Sequence, residues 1–393
     1  MIVVNENTPV IDVFNNIITE AIKQEASDIH LEILADGLRI RFRVDGILQE
    51  FIKVSSKIQN ALLSRVKIIS DLDISERRMP QDGRMYLTEY PNLDIRVSTL
   101  PTIYGEKIVL RILNKQAIHL QLQQMDFSNE NLTTLLDLCK YPHGMILATG
   151  PTGSGKTTTL HSLLMELNDA SRNLVTIEDP VEYRLSGVNQ IQVNQKAGLN
   201  FAKGLRAILR QDPNIVMVGE IRDTETAEIA IRSALTGHLV LSTLHTNDAV
   251  GALPRLLDMG VEDFLVSSAI LAVISQRLVR KICPCCKVAY NILPNTVESI
   301  FLQKHGVDIK TSFYKGTGCA ECRNTGYKGR MAVQEVLPVT PAIRTAIMQR
   351  KTAGDILVVA EQQGFKKIAI DGINKAIYGQ TSLSEIIRIA YSI

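Results

Sequence analysis

The nine residues "GPTGSGKTT" constrain this 393-residue chain more than any other stretch. They are Gly150, Pro151, Thr152, Gly153, Ser154, Gly155, Lys156, Thr157 and Thr158. The first eight match G-x-x-x-x-G-K-[ST], a pattern that composition alone produces about once per hundred chains of this length. Glycines let the backbone wrap phosphate oxygens with its N–H groups, and the helix that follows offers its N-terminus to the anion. Lys156 is placed for the β- and γ-phosphates of ATP, and the Thr157 hydroxyl for Mg²⁺. An apolar strand candidate, "MILATG", leads into the loop, and "GSGKTTTLHSLLMEL" opens a helix. Such a loop belongs to an α/β core with a mainly parallel sheet.

The rest of the chain supplies that sheet. "NLVTIED", "NIVMVGE" and "GHLVLSTLH" are short apolar runs, each followed by polar or helical sequence, as expected of buried parallel strands. Ahead of them, "SDIHLEIL", "LRIRFRVDGIL", "RMYLTEY" and "LDIRVSTL" alternate apolar and polar residues as strands do. Helical spacing covers 9–25 and about 57–72. The organisation expected is an N-terminal α+β domain (1–115), a connector (116–128) and an ATPase core (129–279). A cysteine-bearing subdomain (280–335) and a helical C-terminal part (336–393) complete it. Helices are expected at 341–351, 355–364, 368–378 and 383–391.

Acidic and histidine groups follow the loop in an informative order. In "NIVMVGEIRD" an acid ends an apolar strand, with Gly219 where many P-loop proteins carry Asp. Glu220 can hold Mg²⁺ or orient the attacking water. "TIEDPVEY" brings Glu178, Asp179 and Glu182 to another strand end. His238 and His245 flank the strand in "GHLVLSTLHTNDA", and His245 is a candidate γ-phosphate sensor.

Of the six cysteines, Cys283–Cys286 and Cys319–Cys322 form two C-x-x-C knuckles with 32 residues between them. Paired knuckles read as a closed tetrathiolate Zn²⁺ site, structural because no coordination position stays open. A disulfide or a redox pair is the alternative, and Cys285 can substitute for Cys286 on spacing alone. The N-terminal segment lacks a basic region followed by a long apolar run, and no apolar stretch is long enough to span a bilayer. A cytosolic chain is expected, where structural disulfides are rare. The net charge of +2 and the absence of tryptophan argue against a protein that coats nucleic acid.

Together with "ASDIHLE", "RFRVDG", "QDGR" and "FAKGLRAILRQDPNIVMVGEIRD", these motifs resemble the secretion ATPases of type II secretion and type IV pilus assembly. The resemblance covers nearly all of residues 9–393. It implies a PAS-like N-terminal domain joined to a RecA-like ATPase domain with a tetracysteine zinc insertion and a helical C-terminal region. It also implies a homohexamer with ATP and Mg²⁺ between domains, working in the cytoplasm at the inner face of the inner membrane. There it would act on a platform protein of that membrane, without direct nucleic-acid contact. Glu178 and Glu182 fall in the family's acidic box, with Glu178 the first choice for activating water. Glu220 is its Walker B glutamate, and His238 and His245 its histidine box. Arg43, Arg96 and Arg111, and from the ATPase domain Arg206 and Arg210, occupy positions where the family presents arginines to the nucleotide. The family pattern takes Cys286 rather than Cys285 as ligand. Members often carry a further N-terminal docking domain, whereas here the first residues already resemble the middle domain. Retraction ATPases share this core but generally lack the paired cysteines, so assembly or secretion is the expected role. A retraction motor or a DNA-uptake or conjugation ATPase is the alternative.

Overall fold

The computed structural model describes residues 8–114 and 121–391. It divides into two compact units, Met1–Ile118 and His119–Ile393. The first contains α1 (Val10–Lys23), β1 (Asp28–Leu34), β2 (Gly37–Val44), β3 (Ile47–Val54), α2 (Ser56–Ile69), β4 (Gln81–Met85), β5 (Leu93–Thr102) and β6 (Gly105–Asn114). Its strands form one antiparallel sheet in the order β3-β2-β1-β6-β5-β4. Alternation decides its faces. Ile29, Leu31, Ile40, Phe42, Ile95, Val97, Ile108 and Leu110 share a core with the apolar sides of α1 and α2. The residues between them, including Asp28, His30, Glu32, Arg39, Arg41 and Arg43, take the other face, as a half-covered sheet requires. "RMYLTEY" departs from the strand expected there. Pairing with β5 ends at Met85, and a turn closed by the Tyr90 N–H on the Leu87 carbonyl precedes Pro91.

The second unit begins its described part with a short turn at Leu122–Gln124. Residues 116–120 of the expected connector lie outside the described residues. Leu122 and Met125 are buried in this unit. Then come α3 (Asn129–Leu138), β7 (Gly144–Thr149), α4 (Lys156–Leu167), β8 (Leu174–Glu178), β9 (Asn189–Gln192), α5 (Phe201–Ile208), β10 (Ile215–Val218), α6 (Thr224–Leu235), β11 (Leu239–Leu244), α7 (Ala252–Asp258), α8 (Asp263–Ala269), β12 (Ile270–Ile282), β13 (Lys287–Tyr290), α9 (Val297–Lys304), β14 (Phe313–Gly316), β15 (Tyr327–Pro338), α10 (Pro341–Met348), α11 (Ala353–Gln362), α12 (Ile368–Ile377) and α13 (Leu383–Ala390).

The main sheet runs β15-β12-β7-β11-β10-β8-β9, parallel throughout except for the antiparallel β12–β15 pair at one edge. Strands β7, β8, β10 and β11 are buried along their whole length, which explains their unbroken apolar runs. The helical tail falls where its periodicity put it. The cysteine stretch does not stand apart over 280–335. Its ends belong to β12 and β15 of the main sheet, and the residues between them form a small lobe around the β13–β14 hairpin. That lobe shares a core with α12 and α13: Phe301, Leu302 and Phe313 pack with Ile373, Leu383 and Ile386.

Candidate active site

The loop Gly150–Gly155 joins β7 to α4 at the carboxyl end of the parallel strands, where open α/β sheets bind ligands. Two of its glycines are sterically compelled. Gly150 (φ +141°) and Gly155 (φ +88°) lie in backbone conformations that favour glycine, and an added Cβ would stand 2.5 Å from the Gln276 carbonyl oxygen or 2.6 Å from Gln276 Nε2. The buried Ser154 hydroxyl has no hydrogen-bond partner among the described residues. Lys156 Nζ donates to the carbonyls of Gly150 (2.8 Å) and Pro151 (3.0 Å). Burial pushes its ammonium down to about 8, with Glu220 opposing that shift and Arg277 adding to it. A glycine cradle, an orphaned hydroxyl and a cation with loosened solvation suit a polyphosphate. Thr157 and Thr158, half-buried, open the first turn of α4.

Two more strand ends face the same edge. At the end of β10 the Gly219 N–H bonds the Ile177 carbonyl at 2.8 Å. A Cβ there would press on that oxygen at 3.2 Å, so a side chain such as the Asp often found in P-loop proteins would need β8 to yield by a few tenths of an ångström. Glu220 follows, mostly buried, with Oε2 at 2.7 Å from Arg222 Nε and 3.5 Å from His245 Nε2. His245 leaves the end of β11, and Thr246 ties that loop back to Thr149 through reciprocal bonds of 2.9 Å. The Gly150 loop, Glu220 and His245 are therefore brought together.

Glu178 differs from expectation. It is buried, and its oxygens already accept from Thr176 Oγ1 (2.7 Å), Gln190 Nε2 (3.0 Å) and His161 Nε2 (3.2 Å). Burial alone would raise its carboxyl pKa, but these three donors, His161 foremost, hold it below the ordinary value. The carboxylate expected to activate water thus fastens α4 to β8 and β9. Glu182 sits half-buried in the β8–β9 connection.

His238 is not brought to the loop. It precedes β11, and because β11 runs parallel to β7 it lies at the opposite edge of the sheet. Its Nδ1 meets the Ser233 carbonyl at the end of α6 (3.0 Å). Arg206 of α5 is ion-paired with Glu225 at 2.6 Å, and Arg210 Nη1 donates to the Arg206 carbonyl. On the N-terminal unit, Asp28 accepts Arg111 Nε at 3.1 Å and pairs with Arg43 Nε at 3.4 Å, and Arg96 stands opposite Arg111 in the sheet register.

Sequence reasoning missed His161, Gln276 and Arg277. Gln276 is fully buried beneath the loop, accepting from Thr159 Oγ1 and donating to the Ser154 carbonyl, both at 2.7 Å. Buried Arg277 donates to the Asn247 carbonyl at 2.6 Å, in the loop after His245. The available signal was a Gln-Arg pair inside the apolar run "LAVISQRLV", since a buried charge needs a partner.

In the lobe, the sulfurs of Cys283, Cys286, Cys319 and Cys322 all lie within 4.8 Å of one another, three of the pairs at 3.7–3.8 Å. A tetrahedral ZnS₄ centre with bonds of about 2.3 Å has edges of about 3.8 Å, so the four thiols fit zinc. Cys285 is exposed and lies outside this cluster. Cys319→Ser is expected to lose bound zinc by elemental analysis and to lower the melting temperature, while Cys285→Ser changes neither. Full zinc retention in the Cys319 variant would count against the fourfold site.

A family model described as "Type II/IV secretion system protein" matches residues 4–388. The type II secretion system protein E of Dickeya dadantii is 48% identical over 387 residues, covering 98% of this chain and 76% of that protein. The type IV pilus assembly ATPase PilB of Myxococcus xanthus is 44% identical over 385 residues, covering 97% and 68%. Among solved structures, the pilus retraction motor PilT with bound ADP superposes with a TM-score of 0.63 at 26% identity, covering 95% of this chain and 96% of that one. The Legionella pneumophila ATPase DotB shares the fold, with a TM-score of 0.69 at 21% identity over 97% and 96%.

Proposed function

The chain belongs to the type II/IV secretion system protein family and is an ATPase of the secretion and pilus class, and from that premise we propose that it works as a homohexamer assembling a pilus or pseudopilus. ATP hydrolysis would move an inner-membrane platform protein from the cytoplasmic face. Among the described residues no helix is long and apolar enough to cross a membrane, consistent with attachment through partners. The observation that carries the reading is the convergence of the Gly150 loop, Glu220 and His245 on one sheet edge.

That convergence supports the following roles. Loop N–H groups, the Ser154 hydroxyl and Lys156, released from its two carbonyls, bind the phosphates. Thr157 and Glu220 are the groups that would hold Mg²⁺, which when bound draws charge from the β- and γ-phosphate oxygens. Glu220 rather than Glu178 orients the attacking water, because the oxygens of Glu178 are engaged elsewhere. His245, beside Glu220, senses the γ-phosphate. The family resemblance adds Glu182, Arg206, Arg210, Arg43, Arg96 and Arg111 as further candidates for charge around the nucleotide. Zinc on the four cysteines is structural.

Light scattering with a non-hydrolysable ATP analogue is expected to give a mass of six chains, and expression in an assembly-ATPase mutant to restore fibre formation. A stable monomer, or restoration of retraction alone, would overturn the reading. Retraction is favoured by the likeness to PilT at 26% identity, against 44% and 48% for the assembly and secretion relatives. Turnover that rises with added DNA would instead favour a DNA-uptake motor.

A further inference from the structure

A buried carboxylate outside the motifs touches both the nucleotide edge and the C-terminal helices. Glu335 lies on β15 opposite Ser275 of β12, which in turn stands opposite Thr149, the last residue of β7 before the phosphate loop. Only 2% of Glu335 is exposed. Its Oε1 accepts the Ala249 N–H at 2.7 Å and its Oε2 accepts the Ile368 N–H, also at 2.7 Å. Ala249 lies within the loop that begins at His245 and leads to α7 at Ala252. Ile368 is the first residue of α12, where a carboxylate meets the positive end of the helix. Burial pushes the Glu335 carboxyl up to about 7, with the two N–H donors and Arg277 opposing it and Asp248 adding to it.

The His245 loop is thus pinned at three successive points. Thr246 bonds Thr149, the Asn247 carbonyl takes Arg277, and the Ala249 N–H takes Glu335. The first two ties stay within the nucleotide edge. The third leaves it, because the other oxygen of Glu335 holds α12. That helix shares its core with the cysteine lobe through Ile373, Phe301 and Phe313. Unbridged, either N–H would be a buried donor without an acceptor, which is unfavourable, so the loop cannot shift alone without breaking a bond at the carboxylate.

We propose that Glu335 is a positioning residue that couples the His245 loop to α12, so that γ-phosphate occupancy at Glu220 and His245 is transmitted to the cysteine lobe. This rests on the nucleotide-site reading given above. A Gln at this position keeps the size but accepts through one oxygen and turns an NH₂ toward the second N–H. In the full chain, Glu335→Gln is expected to lower kcat about tenfold or more while KM for ATP stays within about twofold. Hydrogen exchange gives an independent readout. With Mg²⁺ and a non-hydrolysable ATP analogue, wild-type protein is expected to gain protection in both 245–250 and 366–372, and Glu335→Gln in the first segment alone. A folded variant with unchanged kcat overturns the proposal. So does a wild-type response confined to 245–250, which decides the matter even where the variant fails to fold. Wild-type protein without ATP turnover removes the ATPase reading, and the exchange data still judge the coupling.

Discussion

Lys156→Ala is expected to abolish steady-state ATP turnover, a loss of roughly 10³-fold or more, without unfolding the protein. The ammonium is buried at the base of the loop, and its present partners are two carbonyls of that same loop. Its removal leaves those carbonyls near one another but deletes the cation that replaces water around the γ-phosphate. Nucleotide affinity falls as well, because ground state and transition state both use this charge. Phosphate release measured on the purified variant checks the loss. Turnover within tenfold of wild type would mean that the loop is not the hydrolytic site.

Glu220→Gln separates binding from chemistry. The carboxamide keeps the size and can still accept from Arg222, but it cannot draw a proton from water. The expected result is a fall in kcat of about 10²–10⁴-fold with nucleotide binding preserved. The same substitution at Glu178 addresses a different function. That carboxylate ties three elements together, so its loss should appear in thermal stability as well as in rate. If Glu178→Gln removes turnover at unchanged stability while Glu220→Gln remains active, the assignment of the water-orienting acid is reversed.

The parallel strands were legible because burial on both faces leaves one solution for a short segment, an unbroken run of Val, Ile and Leu. The phosphate loop was legible because glycine is the residue its backbone tolerates. Strand β12 was not, since its Ser275-Gln276-Arg277 segment breaks the apolar run at the place where the strand passes under the loop. What those residues do depends on Ser154, Thr159 and Asn247, which lie 30 to 122 positions away. The partners of Glu178 were not legible, because a strand-end acid looks the same in sequence whether its oxygens face solvent or a histidine on the neighbouring helix. The placement of His238 was recoverable. A residue that precedes a parallel strand and a loop that follows one lie at opposite edges of the sheet.

The shared core of the cysteine lobe and the last two helices links the metal site to the end of the chain. Val279, Phe301, Leu302 and Phe313 are covered by Ile373, Leu383, Ile386 and Ile389, which the ribosome adds dozens of residues later. Until α12 and α13 have been synthesised, the lobe lacks the residues that complete its core. Metal capture can therefore come first and give the late helices a finished surface to dock on. A chain starved of zinc during synthesis would then fail at its end rather than at its cysteines, with α12 and α13 left open to proteases while the phosphate loop is already formed.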